Sequence, residues 1–208
     1  MDDFKRPIIK EKTRVFRPKE WKAIVDACPK IEYKTMLQAL LFTGMRYIEM
    51  QRFQKYPSWF DGDFIHLPRE LAVKKVKRTQ MERWVRLNQQ GKMIVAYFTN
   101  LKTPLPSYQS WSENLACWAY RAGFKDAKIV EKVNEKTGVV KKIHKCEGMS
   151  VKSTRKTWES WLMFYYPHRS MEIAQSQGHT TTTSLQHYMN SPFTEADKFE
   201  MKNYVEGW

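Results

Sequence analysis

Four side chains that could act on a phosphate group lie in three short segments of the sequence. Arg46 belongs to the first segment, Arg155 to the second, and His179 and Tyr188 to the third. Guanidinium groups bind phosphate or carboxylate oxygens through paired hydrogen bonds, histidine can pass on a proton, and tyrosine has a hydroxyl that can act as a nucleophile. The chain therefore contains side chains for phosphoryl chemistry, although any one of them alone is more often a packed or surface residue.

Arg155 lies in the first turn of a predicted helix, on the side that faces the core. Helical spacing puts it on one face with three apolar residues, Val151, Trp158 and Leu162. Lys152 lies on nearly the same side, and burying an unpaired guanidinium is strongly unfavourable. We therefore expect a negative group beside Arg155, either a carboxylate from elsewhere in the chain or a bound phosphate.

Arg46 opens another predicted helix. Gly44 permits a sharp turn before it, and Glu49 follows about one helical turn later. A surface ion pair between Arg46 and Glu49 would explain this spacing without any function. The local pattern alone does not separate that structural explanation from a functional one.

The third segment begins where the predicted helix Ser170–Gln177 ends. Gly178 is a good helix terminator, and the four threonines that follow His179 disfavour a helix, which predicts a loop. Tyr188 follows His179 by nine residues. The histidine and the tyrosine are therefore expected on one short stretch after the helix.

The order and spacing of these segments resemble the tyrosine recombinase (phage integrase) family. Residues 43–49 (Thr-Gly-Met-Arg-Tyr-Ile-Glu) are similar to its first arginine box, and residues 152–155 (Lys-Ser-Thr-Arg) to its His-x-x-Arg box. Residues 178–188 are similar to its last box, including the nine-residue gap between histidine and tyrosine. A basic loop before Arg83 lies where the family has a lysine in a β-hairpin. The resemblance covers about residues 17–193.

The sequence departs from the family pattern in two ways. Lys152 replaces the histidine of the His-x-x-Arg box, which resembles integrases of archaeal viruses and plasmids, that is, of mobile elements. The family usually has an N-terminal core-binding domain, and residues 1–16, predicted to be a basic arm, are too short for one. The expected organisation is that arm followed by a catalytic domain over residues 17–208, either excised from a longer enzyme or minimal. Residues 194–208 are expected to pack in cis or on a neighbouring protomer.

The resemblance implies a mechanism without metal, ATP or other cofactor. Tyr188 would be the nucleophile and would form a 3′-phosphotyrosyl intermediate. Arg46 and Arg155 would clamp the non-bridging oxygens of the scissile phosphate, and His179 would donate a further hydrogen bond to it.

Further roles follow from the same resemblance. A lysine of the basic loop would protonate the leaving 5′ oxygen: Lys77 is favoured, with Lys75 and then Lys74 as alternatives. Lys152 would support the phosphate or help to deprotonate the tyrosine. Glu49 would orient the first arginine or pack its helix.

The implied partner is double-stranded DNA carrying an attachment site. Arg78, Arg83 and Lys156 are predicted DNA contacts, and self-association, as a tetramer in a synaptic complex, is expected on DNA. A type IB topoisomerase-like enzyme and a non-catalytic DNA-binding regulator of the same fold are the alternatives.

The composition fits a nucleic-acid partner. The 208 residues carry a formal charge of +14 with a pI near 9.7, which favours a polyanion, either nucleic acid or an anionic membrane surface. No apolar run approaches the roughly 20 residues that span a bilayer. The acidic start Met1-Asp2-Asp3 is unlike a secretory signal, and three scattered cysteines predict neutral thiols in a reducing compartment. A cytoplasmic, DNA-associated protein without a membrane partner is expected.

Apolar periodicity predicts one mainly helical α+β domain with a small antiparallel β-sheet, the fold class of a tyrosine recombinase catalytic domain. Strands are expected around residues 59–60, 63–67 and 83–87, and a protruding hairpin over 125–147. Helices are expected over about 18–28, 36–44, 46–53, 91–98, 111–122, 151–165, 170–177, 184–188 and after 194.

Overall fold

The computed structural model of the chain describes residues 13–68, 82–133, 138–178 and 193–208. These residues form a mainly helical α+β fold, which confirms the predicted class. The helices are α1 (Pro18–Ala27), α2 (Ile31–Thr43), α3 (Tyr47–Phe53), α4 (Gln89–Thr99), α5 (Tyr108–Arg121), α6 (Lys152–Tyr165), α7 (Ser170–Gln177) and α8 (Glu195–Val205). The strands are β1 (Phe64–Leu67), β2 (Arg83–Arg86), β3 (Ala127–Val133) and β4 (Val140–Cys146). The predicted helix at 184–188 lies outside the described residues.

The strands form two separate antiparallel pairs, one in the region of the expected small sheet and the other in that of the expected hairpin. β1 pairs with β2, and the inward residues Ile65 and Val85 lie opposite each other. The predicted strand at residues 59–60 is wrong, since Pro57–Trp59 forms a 3₁₀ turn and Phe60 makes only an isolated bridge to Ile65. Proline explains this difference, because its fixed φ and missing N–H suit a turn better than a strand ladder.

The second pair, β3 and β4, is the hairpin predicted over residues 125–147. Helix α5 packs mainly against β4. Cys146 at the end of β4 contacts Ala116 and Ala119 of that helix, so the hairpin is anchored at its base.

The core is built around α2, which packs against α4 and α6. Every residue from Ala39 to Thr43 is buried, so the end of this mainly apolar helix is enclosed on every side. Phe42 of α2 lies 5.3 Å from the ring centre of Trp158 of α6. The face of α6 predicted to point inward, including Arg155, is buried. The ends of α2 and α6 are thereby fixed relative to each other.

Both ends of the described chain pack along α6. Phe16 is fully buried, its N–H donates to Thr157 Oγ1 at 2.9 Å, and its carbonyl accepts from Trp161 Nε1 at 2.9 Å. Residues 13–16, the end of the predicted arm, therefore lie on the domain. Helix α8 also packs on α6, and Trp208 donates from Nε1 to the Arg86 carbonyl at 3.1 Å. Among the described residues, no helix has the length and apolar character needed to cross a bilayer.

Replacing Phe16 with alanine tests how much this N-terminal packing stabilises the domain. Truncating a fully buried phenylalanine is expected to lower the free energy of unfolding by about 3–5 kcal/mol. Phe199→Ala is the matched control, because that side chain is 77% exposed and its loss should change stability by no more than about 0.5 kcal/mol. Urea unfolding followed by tryptophan fluorescence measures both, and equal costs would contradict the described packing.

Candidate functional site

Two helices end next to each other at glycines in the left-handed conformation. Gly44 (φ 55°) caps α2 and Gly178 (φ 67°) caps α7. A Cβ atom at Gly44 would lie 2.3 Å from Gln177 Oε1, and one at Gly178 would lie 3.0 Å from the Arg83 side chain. Both glycines are thus required by backbone conformation and by close approach. They bring Gly44 of the first predicted segment next to Gln177, two residues before His179.

Arg155 lies between these two helix ends. Its guanidinium donates to the carbonyl of Gly44 at 2.7 Å and to the carbonyl of Gln177. Carbonyls at helix C-termini carry partial negative charge, so they stabilise a buried cation. The negative group expected beside Arg155 was a carboxylate or a bound phosphate, and backbone dipoles supply it in part.

Arg155 remains a cation in this environment. Burial lowers its pKa, and the positive charges of Arg46 and Arg83 lower it further, to about 10. The carboxylates of Glu159 and Glu49 act in the opposite direction. Because this pKa stays well above neutral, Arg155 is charged at physiological pH.

A buried carboxylate joins the other two arginines. Glu49 accepts from the backbone N–H and Nη1 of Arg46, each at 2.8 Å. It also accepts from Arg83 Nη1 at 3.0 Å and Nη2 at 2.8 Å. Burial alone would raise the pKa of Glu49, but Arg83, Arg46 and Arg155 lower it to about 2. Glu49 is therefore the centre of a buried network and not half of a surface ion pair, which was the non-functional explanation of its spacing from Arg46.

Among the described cations of this site, Arg46 and Lys152 reach solvent. The Arg46 side chain is 36% exposed, compared with 4% for Glu49. Lys152 is exposed as the first residue of α6, one turn before Arg155. A phosphate group could therefore approach these side chains from solvent, with Arg155 lying deeper.

Arg83 lies inside the domain. It was expected to contact DNA, but its side chain is only 5% exposed and is held by Glu49 and by the Ser176 carbonyl, which accepts from Nε at 3.1 Å. Arg83 therefore ties β2 to α3 and α7. The signal was present in the sequence, because Arg83 shares the inward face of its strand with Val85.

Lys156 lies on α6 and is half-buried. Its Nζ donates to the Thr13 carbonyl at 3.3 Å, so it helps to hold the N-terminal segment on the domain. Its predicted contact with DNA stays a prediction.

The other predicted site residues lie outside the described residues. These are Lys74, Lys75, Lys77, Arg78, His179 and Tyr188. The described residues that border these segments lie close together. Arg83 is the second described residue after the gap at 69–81, and its side chain lies beside Gly178, the last described residue before the gap at 179–192. The loop lysines and the histidine segment therefore both join the described structure beside Glu49.

The described residues include no group of three His, Cys, Asp or Glu side chains arranged to hold a metal ion. The three cysteines are free thiols. Burial raises the pKa of Cys28 and of Cys146 to about 11, so both thiols are neutral at physiological pH.

Comparison with known proteins supports the fold. No protein-family model matches the chain, and no curated protein matches it. Among solved structures, the architecture is similar to that of a recombinase. That solved structure is titled "Crystal structure of XerA recombinase", and it matches this chain with a TM-score of 0.56 and 13% sequence identity. The match covers 91% of this chain and 64% of that one, and at this identity it shows a shared fold alone.

Protonation of Glu49 should destabilise the domain in acid. Because folding lowers the pKa of Glu49 to about 2, its stabilising effect is present above its unfolded pKa of about 4.3 and is lost as the pH falls from there towards 2. Glu49→Gln should cost about 3–5 kcal/mol at pH 7, since it leaves buried arginines uncompensated. It should also flatten the dependence of stability on pH between about 5 and 2.

Glu20→Gln is the control for Glu49→Gln. Glu20 occupies the equivalent position in α1 and pairs with Arg14, but its side chain is 31% exposed. We expect a cost of about 1 kcal/mol there. Urea unfolding at a series of pH values measures both variants, and an unchanged pH slope in Glu49→Gln would disprove the role of the buried carboxylate.

Gly44→Ala tests the contact between the two helix ends. The variant should lose roughly 2–4 kcal/mol of stability, because left-handed strain adds to a clash with Gln177. Gly123→Ala is the control: its φ is +80° and nothing lies within 4 Å of an added Cβ, so strain alone should cost about 1–2 kcal/mol. Equal losses in chemical denaturation would mean that α2 and α7 do not approach as described.

Proposed function

We propose that this chain is the catalytic domain of a tyrosine site-specific DNA recombinase, or integrase. It cleaves and rejoins DNA strands through a 3′-phosphotyrosyl intermediate. The observation that carries the proposal is that Arg46 and Arg155 lie in one cluster. Arg155 donates to the carbonyl of Gly44, two residues before Arg46, and the carboxylate of Glu49 interacts with both arginines. The recombinase-like fold and the spacing of the three sequence segments support it independently.

The proposed reaction conserves the energy of the phosphodiester bond. The Tyr188 oxygen attacks the scissile phosphorus and forms a phosphotyrosyl bond, while the bond from phosphorus to the 5′ oxygen breaks. The leaving 5′ oxygen takes a proton from a loop lysine, for which Lys77 is favoured over Lys75 and Lys74. Reversal with a 5′ hydroxyl from another strand rejoins the DNA, so the reaction consumes no ATP.

The arginines would stabilise the charge that develops on the phosphorus oxygens. Arg155 is held by two helix C-termini and Arg46 by a buried carboxylate, so neither must reorganise when the transition state forms. His179 directly follows Gly178 and would donate a further hydrogen bond to the phosphate. Lys152 would support the phosphate or help to deprotonate Tyr188.

DNA recognition would rely on the excess of positive charge. A formal charge of +14 attracts duplex DNA, and Arg78 and Lys156 remain candidate contacts to its backbone. Recombination needs two sites brought together, so we expect self-association on DNA, as a tetramer. An enzyme that relaxes plasmids without a specific site would instead act as a type IB topoisomerase.

Trapping the covalent intermediate tests this function. The wild-type chain is incubated with a nicked suicide duplex that carries the attachment site of the genetic element encoding it, and the products are separated on a denaturing gel. A protein–DNA band is expected, and it should disappear in Tyr188→Phe, while DNA binding stays within about threefold because one hydroxyl is lost from a large electrostatic interface.

Two further variants make the result specific. Tyr97→Phe removes a tyrosine hydroxyl from a side chain that is 68% exposed and should leave the band unchanged. Arg46→Ala should reduce the rate of band formation by about 100-fold or more, as expected for loss of one transition-state donor. A full-strength band in Tyr188→Phe would contradict the proposal. Intact DNA binding without a wild-type band would favour a non-catalytic DNA-binding protein.

A further inference from the structure

The hairpin formed by β3 and β4 is strongly basic. Its two strands contain five lysines and one acidic residue, Glu131. It follows α5 and leads through residues 147–151 directly into α6, the helix that carries Lys152 and Arg155. None of its lysines has a role in the function proposed above.

Four of these lysines lie on one face of the hairpin in two directly opposed pairs. Lys128 pairs with Lys145 across the strands, and Lys132 pairs with Lys141. Successive side chains of a strand point to opposite sides, so residues two or four apart share a face. All four side chains are exposed. We call them the lysine face.

Like charges directly opposite each other destabilise an antiparallel pair of strands. For the outer pair, Lys132 and Lys141, the repulsion is partly offset by Glu113 of α5, which accepts from Lys141 at 3.2 Å. The pKa of Glu113 is lowered by Gln109 and by Lys141. Within the described parts of the chain, Lys128 and Lys145 form no ion pair. The repulsion within the inner pair, Lys128 and Lys145, therefore lowers the stability of the hairpin, and no ion pair among the described residues offsets it.

The base of the hairpin holds these lysines in place. Arg14 forms an ion pair of 2.7 Å with Asp126, the residue before β3, and Cys146 packs against α5. The two lysine pairs are four residues apart, roughly 13 Å along an extended strand. The Val130–Ile143 pair lies between the two lysine pairs on the same face, and Ile143 is buried. Two pairs of cations at this spacing suit separate groups of a polyanion, not a single small anion.

We propose that the lysine face binds the phosphate backbone of duplex DNA next to the bond that is cleaved. The inference rests on the proposed function for the nature of the polyanion. Lysine offers a point charge without the planar fork that arginine uses to recognise bases, so the contact is independent of sequence. The face would hold DNA that enters or leaves the site at α6.

The test compares two double variants that lower the net charge equally. Lys128→Gln/Lys145→Gln removes the inner pair of the lysine face. Lys19→Gln/Lys22→Gln is the matched control on α1, where the lysines form ion pairs with Glu200 and Asp26. Binding to a 30-base-pair duplex is measured by fluorescence anisotropy at several salt concentrations, and thermal unfolding is measured in parallel.

The hairpin variant should bind DNA about tenfold more weakly at physiological salt, and the slope of log affinity against log salt should fall by about 2, as for two lost phosphate contacts. The DNA affinity of the control variant should stay within about twofold of the wild-type value, because the effect of net charge at long range is screened by salt. The melting temperature of the hairpin variant should be unchanged or higher, since repulsion is removed. A loss of affinity with unchanged folding identifies a binding surface.

Two outcomes would overturn the inference. One is a salt slope for the hairpin variant equal to that of the control. The other is a hairpin variant that binds DNA as tightly as the wild-type chain but no longer binds phosphatidylserine vesicles that the wild-type chain binds, which would assign the face to a membrane. The covalent assay separates this inference from the proposed function: DNA binding that depends on the lysines without a wild-type covalent band refutes the function and leaves the surface in place.

Discussion

The buried carboxylate of Glu49 is the interaction on which the candidate site depends. It holds Arg46 and Arg83 through four hydrogen bonds and lowers the electrostatic cost of Arg155 nearby. Without an anion at this point, three guanidinium groups would repel one another in a low-dielectric environment. The same contacts tie α3 to β2, and Arg83 extends the connection to α7. Folding of this part of the domain and assembly of its cations are therefore one event.

This arrangement leaves a positively charged side chain, that of Arg46, accessible to an anion from solvent. Glu49 is directed towards the interior, whereas the Arg46 side chain reaches solvent from the same network. Arg155 is fixed by carbonyls, which neutralise it only in part. The result is a set of donors positioned before any ligand binds, which is the condition under which electrostatic stabilisation of a transition state is largest.

Local sequence patterns predict most of the fold, because each rests on a short-range cause. Both bounds of the helix Ser170–Gln177 are predicted correctly, and Gly178 accounts for its end. The inward face of α6 follows from helical spacing. The spacing of the boxes also singles out Arg46 and Arg155. What could not be predicted depends on residues far apart in the chain. Glu49 and Arg83 are separated by 34 positions, so no periodicity reveals that they pair.

The acceptors that hold Arg155 are main-chain carbonyls, and this has a consequence for how such a site diverges. Every residue type supplies a carbonyl, so the geometry around the guanidinium does not depend on which side chains the two helix ends carry, provided that the terminal glycines stay small. Such a clamp is inherited through backbone shape and leaves almost no trace in an alignment.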